Sequence, residues 1–239
     1  CVEKLNCCWV LMKRTALLAR LTAAPLPVTP IQHRRIFDSP EYYNRVFGEL
    51  QPGEILEWYN TNLEDLTPIL SRVISSQPRR RALDLGCGTS RLPQQLAAHG
   101  WRLVVGCDAC KAAIAQQKAI MKSREPGRRI LFSLADATRL PFRDGFFDLV
   151  IEKGFLDALL STRSGTSRVP PALEEAWRTL VAGGSLISIS QDGQLDEPNS
   201  RLQLLQEAGL QPFPSAAREV GELSGGLVRC FAVRKPQKK

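Results

Sequence analysis

Seven residues, Ala82-Leu83-Asp84-Leu85-Gly86-Cys87-Gly88, constrain this chain more than any other stretch. A short apolar run that ends abruptly in glycine reads as a buried strand. The run Leu92 to Ala98 that follows reads as a helix. Gly86 and Gly88 carry no Cβ, so the backbone between strand and helix can turn sharply and approach a ligand closely. Such a strand–glycine turn–helix unit opens a parallel α/β sheet and places its ligand at the carboxyl ends of the strands.

The rest of the body repeats the alternation. Residues 63–76 place Leu63, Leu66, Ile69, Leu70, Val73 and Ile74 at helical spacing. Apolar runs at 103–107, 130–134, 147–151, 185–190 and 228–233 read as strands, and Ala112–Met121, Pro171–Leu180 and Leu202–Ala208 as helices. A turn is expected at Ala182-Gly183-Gly184. Strands alternating with helices imply right-handed crossovers and a mainly parallel sheet covered on both faces. The expected class is α/β, Rossmann-like and doubly wound.

Three acids stand at or beside the carboxyl ends of successive strands. Asp84 lies two residues before the first glycine, Asp108 follows the second strand, and Asp136 follows the third. A nicotinamide enzyme would use a similar turn, but the third glycine of G-x-G-x-x-G is missing, because position 91 is Arg91. Without a pyrophosphate to cradle, that glycine is dispensable. Asp84 suits an ammonium group, Asp108 a pair of ribose hydroxyls, and Asp136 an adenine amino group. The ladder favours a methyl-donor site over a nicotinamide site.

At these residues the chain resembles the seven-stranded protein-lysine methyltransferases. It is similar in particular to the group that holds the elongation factor 1-alpha lysine methyltransferases and the mitochondrial citrate synthase lysine methyltransferase. The resemblance covers about residues 40–233. Its selective pieces are Leu83-Asp84-Leu85-Gly86-Cys87-Gly88-Thr89-Ser90 and Ile151-Glu152-Lys153-Gly154-Phe155-Leu156-Asp157-Ala158-Leu159-Leu160. Tyr42-Tyr43-Asn44-Arg45-Val46-Phe47 and Glu57-Trp58-Tyr59 resemble the group's aromatic N-terminal lid, although Tyr43 and Asn44 depart from its usual residues.

The resemblance implies a seven-stranded sheet and S-adenosylmethionine as cofactor, leaving S-adenosylhomocysteine. Tyr43, Phe47 and Trp58 would close over its methionine end, and Asp84, Gly86 and Gly88 would line it. Asp108 and Ala109 would meet the ribose, and Asp136 and Ala137 the adenine. Glu152 or Lys153 would lie near the sulfonium and the substrate channel, with Glu152 and Asp157 guiding the incoming ammonium and routing its proton. No metal is expected. The N-P-P-Y-type motif of amide and many adenine methyltransferases is absent after the fourth strand.

Charge and cysteine usage narrow the partners. The formal net charge is +8. Residues 1–36 hold Lys4, Lys13, Arg14, Arg20, Arg34 and Arg35 against Glu3 alone, and Arg234, Lys235, Lys238 and Lys239 crowd the other end. The body between is close to neutral, which argues against a nucleic-acid face. The domains expected are a transit-like segment over 1–36, a methyltransferase domain over 37–233 and a basic tail over 234–239. Met12 to Ala24 is basic, acid-poor and amphipathic if helical, as a mitochondrial transit peptide is. Residues 1–11, ahead of the first methionine, read as upstream sequence. Matrix localisation follows as an expectation, with the cytoplasm as alternative, and citrate synthase as the protein partner ahead of elongation factor 1-alpha. A non-catalytic, S-adenosylmethionine-binding assembly factor would keep the same glycines and acids. No apolar run is long enough to span a membrane. Seven cysteines, an odd number, do not read as a disulfide framework, and the single C-x-x-C of Cys107 and Cys110 is weak support for redox or zinc chemistry.

Overall fold

The computed structural model describes residues 40–61, 63–74, 79–121, 129–162, 165–191, 205, 218–223 and 228–237. They belong to one compact unit, Phe37–Lys239. The transit-like reading of residues 1–36 lies outside the described residues, as does the helix expected over 202–208 apart from Leu205, which is buried.

Helices α1 (Pro40–Gly48) and α2 (Leu63–Ile74), separated by a single 3₁₀ turn at Trp58–Asn60, precede the sheet. Then come β1 (Arg81–Leu85), α3 (Leu92–Ala98), β2 (Leu103–Asp108), α4 (Lys111–Met121) and β3 (Arg129–Leu134). The second half holds β4 (Phe147–Lys153), α5 (Phe155–Leu160), α6 (Gly165–Thr179), β5 (Leu180–Ser190), β6 (Arg218–Leu223) and β7 (Val228–Arg234). The described strands form one seven-stranded sheet in the order β3-β2-β1-β4-β5-β7-β6. Pairing is parallel from β3 through β5, and β7 runs antiparallel to both β5 and β6. The order reverses between β1 and β4, so the carboxyl ends of these two strands open the crevice where such sheets bind ligands.

The central strands are buried on both faces, which is why they read as continuous apolar runs. One face packs Leu83, Leu85, Val105, Phe147, Val150 and Phe231 against Leu156 of α5 and Val169, Leu173 and Trp177 of α6. The other packs Ala82, Val104, Leu149, Ile151 and Ile187 against Leu66 and Ile69 of α2 and Leu92 and Leu96 of α3. A smaller cluster of Phe47, Leu50, Cys110 and Ala113 docks α1 on α4. Asn44 pins that contact, its Oδ1 accepting from the Ala112 N–H at the start of α4 (3.2 Å) and from the Cys110 thiol (3.2 Å).

Several local expectations are corrected. Helix α6 starts at Gly165 rather than Pro171 and carries Pro170 and Pro171 inside it. Ala182-Gly183-Gly184 lies within β5, where the register to β4 shifts past Phe147, instead of forming a free turn. The basic tail begins later than Arg234. Arg234 ends β7, and the Lys235 ammonium donates to Trp177 O and Leu180 O (both 2.7 Å), carbonyls at the end of α6 that favour a cation. Strand β6 was not read from sequence, because Arg218, Glu219 and Glu222 break any apolar run.

Phe231 is fully buried at the centre of the α6-side core. Its replacement by alanine is expected to lower the unfolding free energy by about 3–5 kcal/mol. A reduced urea midpoint at an unchanged slope checks this.

Candidate functional site

The glycine loop is fixed from both ends of the turn. Gly86 and Cys87 donate backbone N–H bonds to Cys107 O (2.8 and 3.0 Å), tying the end of β1 to the end of β2. Gly86 adopts φ +71° and Gly88 φ +49°, where side chains are strained. A Cβ on Gly86 would lie 2.5 Å from that of Phe155, and one on Gly88 would lie 3.2 Å from the Phe47 ring. From below, the buried Gln117 amide donates to Gly88 O (3.2 Å) and Ser90 O (2.7 Å), and is itself held by Gln94 (2.8 Å).

Beside this loop the structure gathers carboxylates. Asp108 accepts from Gly88 N–H (2.8 Å) through one oxygen and from Cys110 N–H (2.7 Å) through the other. Burial raises its pKa, and these N–H bonds oppose the rise only in part. Asp84 is 2% exposed, and its Oδ2 is a buried oxygen without a hydrogen-bond partner. Burial, with the charges of Asp108 and Glu152 added, pushes its pKa well above the ordinary carboxylate value. Asp136 differs. Its half-exposed carboxylate receives both contacts of the Arg168 guanidinium (2.8 and 2.7 Å) and two bonds from Thr138. Burial works to raise the Asp136 pKa, but the Thr138 and Arg168 contacts outweigh it and the net direction is down.

Tyr43, Phe47 and Trp58 line an open cleft. Gly86, Gly88, Asp108, Ala109, Asp136, Ala137 and Lys153 also line it. Among the expected cofactor residues, Asp84 is absent from the lining. Glu152 and Asp157, expected to meet the substrate, stand behind the wall. Glu152 accepts from the Ser188 hydroxyl and from Leu156 N–H (3.1 Å) in the first turn of α5. Asp157 receives the Tyr59 hydroxyl, the Ser190 hydroxyl (2.8 Å) and Gln191 N–H (3.3 Å). Both carboxylates thus anchor the wall that Gly154 and Phe155 present to the cleft. Lys153 pairs with Glu57, and burial pushes its pKa down to about 7.

Sequence reasoning missed the wall supplied by Phe155, Ala158, Leu159, Thr162 and Arg168. Arg168 lies 32 residues from the carboxylate it pairs with, and nothing local in sequence announces that contact. Cys107 and Cys110 line the cleft as free thiols, and no group of residues placed to hold a metal occurs among the described residues.

Residues 83–188 match the family described as a methyltransferase domain. Human eEF1A lysine and N-terminal methyltransferase is 35% identical over 158 residues, which is 65% of this chain. The chain spans 22% of that relative's length. Mouse EEF1A lysine methyltransferase 4 is 28% identical over 70% of this chain and 65% of its own length. Among solved structures, the N-methyltransferase NodS of Bradyrhizobium japonicum WM9, in complex with S-adenosyl-L-homocysteine, has a TM-score of 0.60 at 18% identity, over 84% of this chain and all of that one. The [4+2]-cyclase SpnF has a TM-score of 0.57 at 18% identity, over 90% of this chain and 98% of that one. The fold is that of the class I S-adenosylmethionine-dependent methyltransferases.

The raised pKa of Asp84 has a sign that can be checked. Between the unfolded value near 3.8 and the higher native value, the native state binds more protons, so stability falls as pH rises. Asp84→Asn is therefore expected to gain stability relative to the parent chain as pH climbs above about 4, by at most about 1.4 kcal/mol per pH unit within that window. Urea unfolding of both proteins between pH 5 and 8 measures the difference. A gap that stays constant with pH would show that Asp84 ionises as an ordinary carboxylate.

Proposed function

We propose that this chain, whose fold and methyltransferase domain are of the class I S-adenosylmethionine-dependent type, methylates the side-chain amine of a lysine in a protein. The observation that carries the cofactor assignment is the cleft itself: a loop at Gly86 and Gly88 against which Phe155 and Phe47 pack too closely for side chains there, preceded by a buried Asp84 with one unpartnered oxygen. Asp84, Gly86, Gly88 and Asp108 would hold the amino-acid and ribose parts, with Asp136 and Ala137 at the adenine. When bound, S-adenosylmethionine supplies an electrophilic methyl group on a sulfonium.

The protein's own contribution is positioning and water exclusion. Tyr43, Phe47 and Trp58 cover the cleft with aromatic surface. An incoming lysine, with an ordinary pKa of about 10.4, must lose its proton before it can act as nucleophile, and a desolvating aromatic channel favours the neutral amine. Asp157 holds Tyr59 beside this wall, so its part in the reaction is to keep the channel's shape.

Two substrates have specific support. The basic, acid-poor residues 13–24 favour a mitochondrial enzyme and citrate synthase, while the names of the relatives favour elongation factor 1-alpha. A third reading, a cofactor-binding protein without methyl transfer, draws on the cyclase that shares the fold.

Incubation of the full chain and labelled S-adenosylmethionine with each purified substrate, read by intact and peptide mass spectrometry, decides among them. We expect one lysine of citrate synthase to gain methyl groups, and Asp108→Ala to abolish the gain. Transfer to elongation factor 1-alpha alone would move the substrate and the compartment. Cofactor binding without transfer to either would leave the non-catalytic reading.

A further inference from the structure

Trp58 lines the cleft between two anchored neighbours. On one side, Tyr59 holds a left-handed backbone (φ +63°), which a non-glycine residue adopts only where its surroundings impose it. Its hydroxyl donates to Asp157, and its ring packs against Gly154, where a Cβ would lie 2.8 Å from the Tyr59 oxygen. On the other side, the Glu57 carboxylate joins three separate elements. One oxygen accepts from the Ser90 hydroxyl (2.8 Å) and from the Lys153 ammonium, and the other accepts from Arg91 N–H (3.1 Å) at the start of α3. Lys153 reaches back as well, donating to Thr61 O (3.3 Å). Leu56 N–H donates to the Thr89 hydroxyl (2.9 Å), so the segment ahead of Trp58 runs along the glycine loop.

The two anchors differ in kind. The Tyr59 anchor is an aromatic ring packed into the core, whereas the Glu57 side chain is about a quarter exposed and holds by charge. Water competes more readily for the second. Glu57 also touches the glycine loop directly, so movement of the lid and the shape of the cradle are linked through one carboxylate.

We propose that Glu57 is a positioning residue whose bonds to Ser90, Arg91 and Lys153 latch the Trp58 lid over the cofactor cleft and set how long a bound cofactor is retained. This rests on the cofactor reading above. Nothing in it requires Glu57 to touch the reacting atoms. Most changes within one binding site act on the dissociation rate far more than on association, so loss of the latch is expected to raise the release rate and leave association nearly unchanged.

Stopped-flow binding of S-adenosylhomocysteine to the full chain tests the latch, with Glu57→Gln, Lys153→Gln and the double variant compared. We expect each single variant to release the ligand about tenfold faster at an association rate within about twofold of the parent, and the double variant to be no faster than either single. Glu57→Asp, which retains the charge, should recover part of the slow release. Equal dissociation rates in parent and Glu57→Gln, or additive effects in the double variant, would overturn the latch. Thermal unfolding identifies any variant that fails to fold, and Lys153→Gln then carries the comparison alone. No binding of S-adenosylhomocysteine by the parent chain would instead remove the cofactor reading on which the latch rests.

Discussion

Three carboxylates, the buried Asp84 and Glu152 and the partly buried Asp108, stand at the carboxyl ends of adjacent parallel strands, close enough for the charges of Asp108 and Glu152 to raise the pKa of Asp84. Burying a carboxylate is costly unless hydrogen-bond donors surround it. The donors in reach are the backbone N–H groups left over where a strand gives way to a loop or a helix begins. Asp108 takes those of Gly88 and Cys110, and Glu152 takes that of Leu156. The glycine loop, the β2–α4 turn and the start of α5 are thereby drawn around the same small volume. Asp84, which does not line the cleft, keeps one buried oxygen without a donor, and its raised pKa follows from that burial and the two neighbouring charges.

The fold was legible because β1, β2, β4 and β5 are buried on both faces and announce themselves as apolar runs between glycine and helix signals. Strand β6 was not, since an edge strand is held by its backbone ladder to β7 and needs no apolar run, and its sequence carries Arg218, Glu219 and Glu222. The start of α6 was misplaced because Pro170 and Pro171 read as a helix beginning, whereas the helix already runs from Gly165.

The site was legible where function depends on local geometry. Gly86, Gly88, Asp108 and Asp136 each sit at a strand end, so position along the chain gives position in space. The contacts that refine these residues are long-range: Arg168 with Asp136 spans 32 residues, and Lys153 with Glu57 spans 96. Nothing in one sequence links such pairs. The same limit explains Glu152 and Asp157, whose acidic side chains suggested substrate contact. In the structure each answers donors from β5 or the loop after it, Ser188 for the first and Ser190 with Gln191 for the second.

A sheet of this kind does not by itself specify the chemistry done on it, as the shared fold of an N-methyltransferase and a [4+2]-cyclase illustrates. The discriminating parts must therefore lie outside the strands. In this chain they are the segment from Tyr43 to Thr61 and the α5–α6 wall, both of which line the cleft. To the apolar packing of Phe47, Tyr59, Leu156 and Leu173 they add polar attachments: Asn44 at α4, Glu57 at the glycine loop, Tyr59 at Asp157 and Arg168 at Asp136. Polar attachments are weaker than a packed core but directional, so they fix the geometry of the cleft without freezing it. An active site that must admit a cofactor, exclude water and release a product needs that combination of definition and looseness.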